Sequence, residues 1–145
     1  MAAMSLSGTE QVATSRLWRA ALVAAISAAI ANFIVFVVAK NVFGLGLAIP
    51  LGGAGSPIEP LPAFMVVIAT AVPALAAAGL LALLARFTRR PILVFQIIAA
   101  VFALLSLGGP LSLPVDTTTK LALGLMHLVA AAVITGVLTT WSRAR

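Results

Sequence analysis

Apolar residues run through this chain in long blocks, without the alternation of a half-buried strand or the stripe of a soluble helix. The blocks cover Ala20–Ala39, Leu61–Ala85, Pro91–Leu107 and Asp116–Trp141. A helix needs about 20 apolar residues to cross a bilayer. The pattern therefore predicts four membrane-spanning helices at about 17–39, 61–85, 91–107 and 117–141. The expected fold is all-α, a four-transmembrane-helix bundle in one domain over 16–145, behind a flexible cytoplasmic tail at 1–15.

The punctuation between the blocks sharpens this picture. Thr14 or Ser15 is placed to cap the first helix. Arg16–Ala31, ending in Ala29-Ile30-Ala31, also has the shape of a cleavable leader, but the apolar run continues through Phe33–Val38 and is too long for one. Within that run Ala20, Ala24, Ser27, Ala28 and Ala31 recur at helical spacing, a row of small residues of the kind that lets membrane helices approach. Residues 40–60, rich in Gly and Pro but hardly polar, are the longest connection. They suit an interfacial connector or a lid folded over the bundle mouth. Pro73 should kink the second helix and leave the Ala69 carbonyl without its usual donor, with Thr70 nearby to compensate. Arg86, Arg89 and Arg90 mark a tight turn, and Gly108-Gly109-Pro110 reads as a helix stop opening a loop at 108–115.

The last block reads as the organising element. Asp116, Lys120, Gly124, His127, Ala131 and Thr135 fall within roughly a 100° arc of its helix, while Leu, Val, Ile and Met fill the rest. A polar side chain at membrane depth turns toward protein or water, so this arc should face the other helices.

Composition and charge then exclude whole classes of function. Of the 145 residues, 63% are hydrophobic and 8% charged, against about 25% charged in soluble domains. The net charge of +6 comes from basic residues at helix ends, with no basic stripe or aromatic platform, so no nucleic-acid partner is implied. Arg16, Arg19, Arg86, Arg89, Arg90, Arg143 and Arg145 share one side of a four-span topology, and only Lys40 and Lys120 the other, beside Glu59 and Asp116. That bias places both termini in the cytoplasm. The absence of cysteine removes thiol chemistry and Cys-ligated metals. The first helix also lacks the acidic residue on which small four-helix multidrug transporters depend.

The residues left for chemistry are few. Glu59, Asp116 and Lys120 gather at the outer face, with His127 about 10 Å below Lys120 and Asn32 in the outer half of the first helix. Together they sketch a vestibule closed below by alkyl packing. Asp116 has a sufficient structural role as helix N-cap, with Lys120 one turn on as an ion-pair partner. Four roles compete for His127: a hydrogen bond between helices, a contact to a ligand, a proton relay, or a haem or metal ligand. A relay lacks carboxylates at depth, and a lone histidine makes a poor metal site. No nucleophile elbow, phosphate loop or metal-ligand spacing is present, so no enzymatic activity and no cofactor are implied.

Asp116-Thr117-Thr118, the Leu-rich turn 121–125 and Met126-His127-Leu128-Val129-Ala130-Ala131 resemble a family of small bacterial four-helix membrane proteins of unknown function. The Arg-rich N-terminal flank and the Gly/Pro loop fit the same family. The resemblance implies four helices in an inner membrane and sets Asp116 and His127 in one pattern; it carries no activity or cofactor. The reading that results is a non-enzymatic accessory or binding protein, with a small-molecule pocket facing outward above His127 and Asp116, Lys120, Glu59 and Asn32 as contacts. The alternatives are a transporter or channel component using Asp116, Lys120 and His127, or a haem-binding or enzymatic subunit. The lipid bilayer is the certain partner, and the small-residue row suits a homo-oligomer or a second membrane subunit equally well.

Overall fold

The computed structural model describes residues 12–53 and 55–143. Its elements are α1 (Thr14–Asn41), β1 (Ala48–Pro50), β2 (Ile58–Pro60), α2 (Ala63–Phe87), α3 (Pro91–Ser106), α4 (Gly108–Ser112) and α5 (Thr117–Trp141). Four helical segments, Ser15–Asn41, Ala63–Phe87, Pro91–Ser112 and Thr117–Trp141, are long and apolar enough to cross a membrane.

The hub of the bundle is α1, not the last helix. It packs extensively against both α2 and α5, whereas α2 and α5 touch each other little. The reason lies in its sequence. Ala20, Ala24 and Ala28 have no exposed surface, and Ala21, Ala25 and Ala29 are buried beside them. These two rows of methyl groups admit a helix on each side. Lipid tails are as apolar as leucine, so close backbone approach, not hydrophobicity, selects this face. The expected row is there, but doubled: Ser27 and Ala31 lie at its half-buried margin.

Two apolar clusters result. The alanine rows meet Ala74, Ala78 and Leu81 of α2, Phe95 of α3, and Ile134 and Leu138 of α5. At the other end Phe36 and Ala39 pack with Val66, Ala122, Leu123 and Met126. Outside the clusters, large apolar side chains such as Ile26, Ile30, Ile68 and Leu83 stand exposed, as on any surface solvated by hydrocarbon.

Several boundaries depart from expectation for local reasons. Of the expected tail at 1–15, residues 1–11 lie outside the described residues, and Val12 to Ser15 belong to the fold. Val12 bridges Arg143, and the Ala13 N–H donates to the Ser142 carbonyl at 2.8 Å, which ties the two ends together. Ala13 occupies the N-cap position, ahead of the expected Thr14 or Ser15, without a side-chain hydrogen bond. Gly108-Gly109-Pro110 does not end the helical path. Leu107 keeps helical angles (φ −65°, ψ −23°) and α4 adds one more turn. Pro110 sits in that first turn, where its missing N–H has no role.

Residues 40–60 fold into an antiparallel hairpin with Ala48 opposite Pro60, Ile49 opposite Glu59 and Pro50 opposite Ile58. Its tip carries Gly53 and Gly55 at φ +97° and +88°, angles that glycine alone adopts without steric cost. Leu47 and Leu61 anchor its base in the second cluster, and the Leu61 N–H donates to the Leu47 carbonyl at 2.9 Å. Leu47 takes a left-handed φ of 43°, a conformation held by its nearly complete burial.

Candidate functional site

In α3, the buried residues Pro91, Ile92 and Phe95 all lie within the first turn and a half. At the far end Pro110 of α4 is buried, and Leu107 lies against Gly124 of α5. Between these anchors α3 stands off the bundle. Ile98, Phe102 and Ser106 roof a cavity of about 870 Å³ whose other walls are α2 and α5. Ligand pockets typically measure about 300–1,000 Å³, so this one is of ligand size. On α2 the lining runs from Met65 to Leu80, and on α5 from Leu123 to Thr135. Ile49 of the hairpin closes one end.

The expected front of the last helix exists, but it faces this cleft and not the packed core. His127, Ala131 and Thr135 line the cavity. The side of α5 that packs is Thr119, Leu123, Met126, Ile134 and Leu138. The N–H at His127 Nδ1 donates to the Leu123 carbonyl at 2.8 Å. A carbonyl only accepts, so a neutral ring carries its proton on Nδ1 and presents Nε2 as an acceptor.

Asn32 is buried in the wall at 4% exposure, beside Thr70 at 3%. Its Nδ2 donates to Thr70 Oγ1 at 2.9 Å, and the Thr70 hydroxyl donates to the Val66 carbonyl at 2.8 Å. Asn32 Oδ1 has no hydrogen-bond partner. Thr70 thus bonds Val66 and Asn32, and Pro73 lies inside an unbroken α2 with its exposed face in the cleft. Sequence reasoning brought Asn32 to the interior but missed Thr70 as its partner. The available signal was two polar residues at comparable depth on neighbouring spans.

The other three candidates lie apart from this cleft. Asp116 is the N-cap of α5. Its Oδ2 accepts from the Thr119 N–H at 2.8 Å and from the Thr118 hydroxyl, and its Oδ1 accepts from the Thr119 hydroxyl at 2.7 Å. Among the described residues Lys120 forms no ion pair with it, and the donors on the carboxylate come from Thr118 and Thr119. Glu59 is exposed opposite Ile49 and pairs with neither lysine, while Lys40 lies over the Phe36 ring at 5.9 Å. The vestibule therefore divides: Asn32 and His127 line the cavity, and Glu59, Asp116 and Lys120 do not.

The threonine hydroxyl and amide donors, Thr118 first, lower the Asp116 carboxyl from 3.8 to about 2. The sign follows from linkage. The folded state holds the ionised form, so the stabilisation is complete above pH 3.8 and disappears as pH falls through about 2. Asp116→Asn keeps one acceptor for the cap and cannot titrate. We expect it to match the wild type at neutral pH and to flatten the loss of stability between these two values, read as detergent-solubilised melting temperature against pH.

No group of three or more His, Asp or Glu side chains converges among the described residues. Four membrane-length helices around an apolar cleft define a multi-span integral membrane protein. The chain belongs to a family of unknown function, DUF6069, whose model matches residues 12–144. No curated protein and no solved structure matches it.

Proposed function

We propose that this is a non-enzymatic binding protein of a bacterial-type inner membrane, which holds a small apolar molecule in the cleft between α2, α3 and α5. The size of the cleft carries this reading. At about 870 Å³ it falls within the range of ligand pockets, about 300–1,000 Å³, and its walls are almost entirely apolar. Its lateral position beneath α3 makes a bilayer-soluble molecule the natural occupant. Arg16, Arg19, Arg86, Arg89, Arg90 and Arg143 cluster at the end where the termini meet, which supports cytoplasmic termini and a hairpin on the outside. Trp18 and Trp141, both largely exposed, mark the same interface.

Native mass spectrometry of the protein, gently solubilised from the cells that make it, tests the reading. A retained small molecule is expected on the wild type. Ala131→Trp, which fills the cavity from α5, should lose it while keeping helix content and melting temperature. A wild-type protein that flies empty would overturn the proposal.

A further inference from the structure

Among the described residues that line the cleft, His127 is the only ionisable one, and unlike Asn32 and Thr70 it is exposed. Its Nδ1 donates to the Leu123 carbonyl, so the neutral ring offers Nε2 as an acceptor and has no donor left. No described residue bonds Nε2. Hydrocarbon supplies no hydrogen bonds at this depth, so a donor has to come from whatever fills the cleft.

The other polar groups of the lining narrow the choice. The Thr70 hydroxyl donates to the Val66 carbonyl and the Ser106 hydroxyl to the Ala103 carbonyl. Thr135 lies two turns beyond His127, roughly 12 Å along α5 at 1.5 Å per residue. A carbonyl or ether oxygen brought to His127 would therefore set acceptor against acceptor. An ammonium would find no carboxylate in the lining. The group that fits is a neutral O–H.

The walls around His127 indicate what carries that hydroxyl. The approach of Leu107 to Gly124 sets the register of α3 against α5, which run antiparallel as consecutive spans. Counting back along α3 and forward along α5 puts Phe102 and Ala103 opposite the turn from His127 to Ala131. All four line the cleft, with Ala130 beside them. Alanine methyls facing a phenylalanine leave a slot for a flat apolar group, and aromatic rings pack favourably with one another. A hydroxyl on such a ring also donates more strongly than an aliphatic one, because its proton is far more acidic.

The geometry points to an uncharged phenol with an apolar tail as the occupant, its hydroxyl donating to His127 Nε2 and its ring lying between Phe102 and Ala131. This rests on the binding function proposed above and adds the chemical class of the ligand and its polar contact.

His127 is the one histidine of the chain, so protein made with isotope-labelled histidine shows a single pair of ring nitrogens by NMR. The test follows both in the full chain, delipidated and placed in nanodiscs, with two probes. One is para-dodecylphenol; the other is its methyl ether, which keeps the ring, oxygen and tail but has no donor. The phenol should move the Nε2 resonance upfield, from the unprotonated range toward the protonated one, and leave Nδ1 in place. The ether should move neither. Filling the cleft by Ala131→Trp should abolish the shift, and Ala103→Trp fills it from α3 should the first variant fail to fold. A shift that survives the filled cleft would put the phenol on the lipid side and overturn the inference. So would a protonated Nε2 in the ligand-free protein, or an Nε2 that the phenol leaves unmoved. The binding function survives each of these if native mass spectrometry still finds a retained small molecule; a protein that also flies empty would overturn both.

Discussion

Asn32→Leu is expected to leave the ligand-free protein at least as stable as the wild type, whereas Thr70→Val destabilises it by about 1–3 kcal/mol. Intuition about buried hydrogen bonds predicts the opposite for the first. Asn32 makes one bond, from Nδ2 to Thr70, and buries an acceptor that has none. A net bond contributes about 0.5–1.5 kcal/mol, while an unsatisfied buried group costs about 1–3 kcal/mol. Leucine keeps the branched skeleton of asparagine, removes both terms, and leaves the Thr70 hydroxyl on Val66. Thr70→Val instead strands the Asn32 amide as well as its oxygen. In the double variant nothing polar remains, and stability should return to near the wild-type value. Unfolding titrations in mixed detergent micelles, after delipidation, read all three. A destabilised Asn32→Leu together with a silent Thr70→Val would show that Oδ1 is satisfied in the membrane and that Asn32 is ordinary structural glue.

Ala24→Leu should cost about 3 kcal/mol or more, the upper range for overpacking a core, and in detergent should abolish the monodisperse protein. Ala24 has no exposed surface and lies where α1 meets its neighbours. Three added heavy atoms have no space there except by pushing a helix away. Ile30→Ala, one turn and a half further on the lipid side at 56% exposure, should change the melting temperature little. The pair reverses the rule for soluble proteins, because enlarging an apolar side chain does the damage and deleting one does not. Equal effects would mean that the alanine rows are not the packing seam.

The contrast also explains what the sequence could disclose. The number of spans was legible because length and apolarity suffice for it. Asp116 was legible as a cap because aspartate followed by threonines at a helix start carries its own mechanism. The alanine row was half legible: its spacing appeared, but its doubling over Ala21, Ala25 and Ala29, which makes α1 central, did not. In a chain where lipid and core are equally apolar, leucine and valine give no facing information. Only small and polar residues do, and they are sparse. The stand-off of α3 left no trace, because Ile98 and Phe102 would look the same against lipid as over a cavity. The hairpin did leave a signal, a Gly/Ser/Pro cluster between Ala48-Ile49 and Ile58-Glu59. The strands are only three residues each, too short for a period of two to stand out between the helix blocks. The five candidate residues shared one end of the chain's topology, but sequence could not separate the two beside the cleft from the three at the surface. That division is one of height: on α5 the cleft begins only at Leu123, below Asp116 and Lys120 on the same face.

The pairing of Val12 with Arg143, and of α1 with α5, has a consequence for how the protein is made. The first helix to leave the ribosome finds α2 soon afterwards, but its second partner is the last helix of the chain. At about 5–20 residues per second, the free side of the alanine rows waits on the order of ten seconds in the translocon or in lipid. During that interval the nascent chain exposes a small-residue groove that a foreign helix can occupy. Biogenesis, more than the finished fold, is the stage at which that groove stands open.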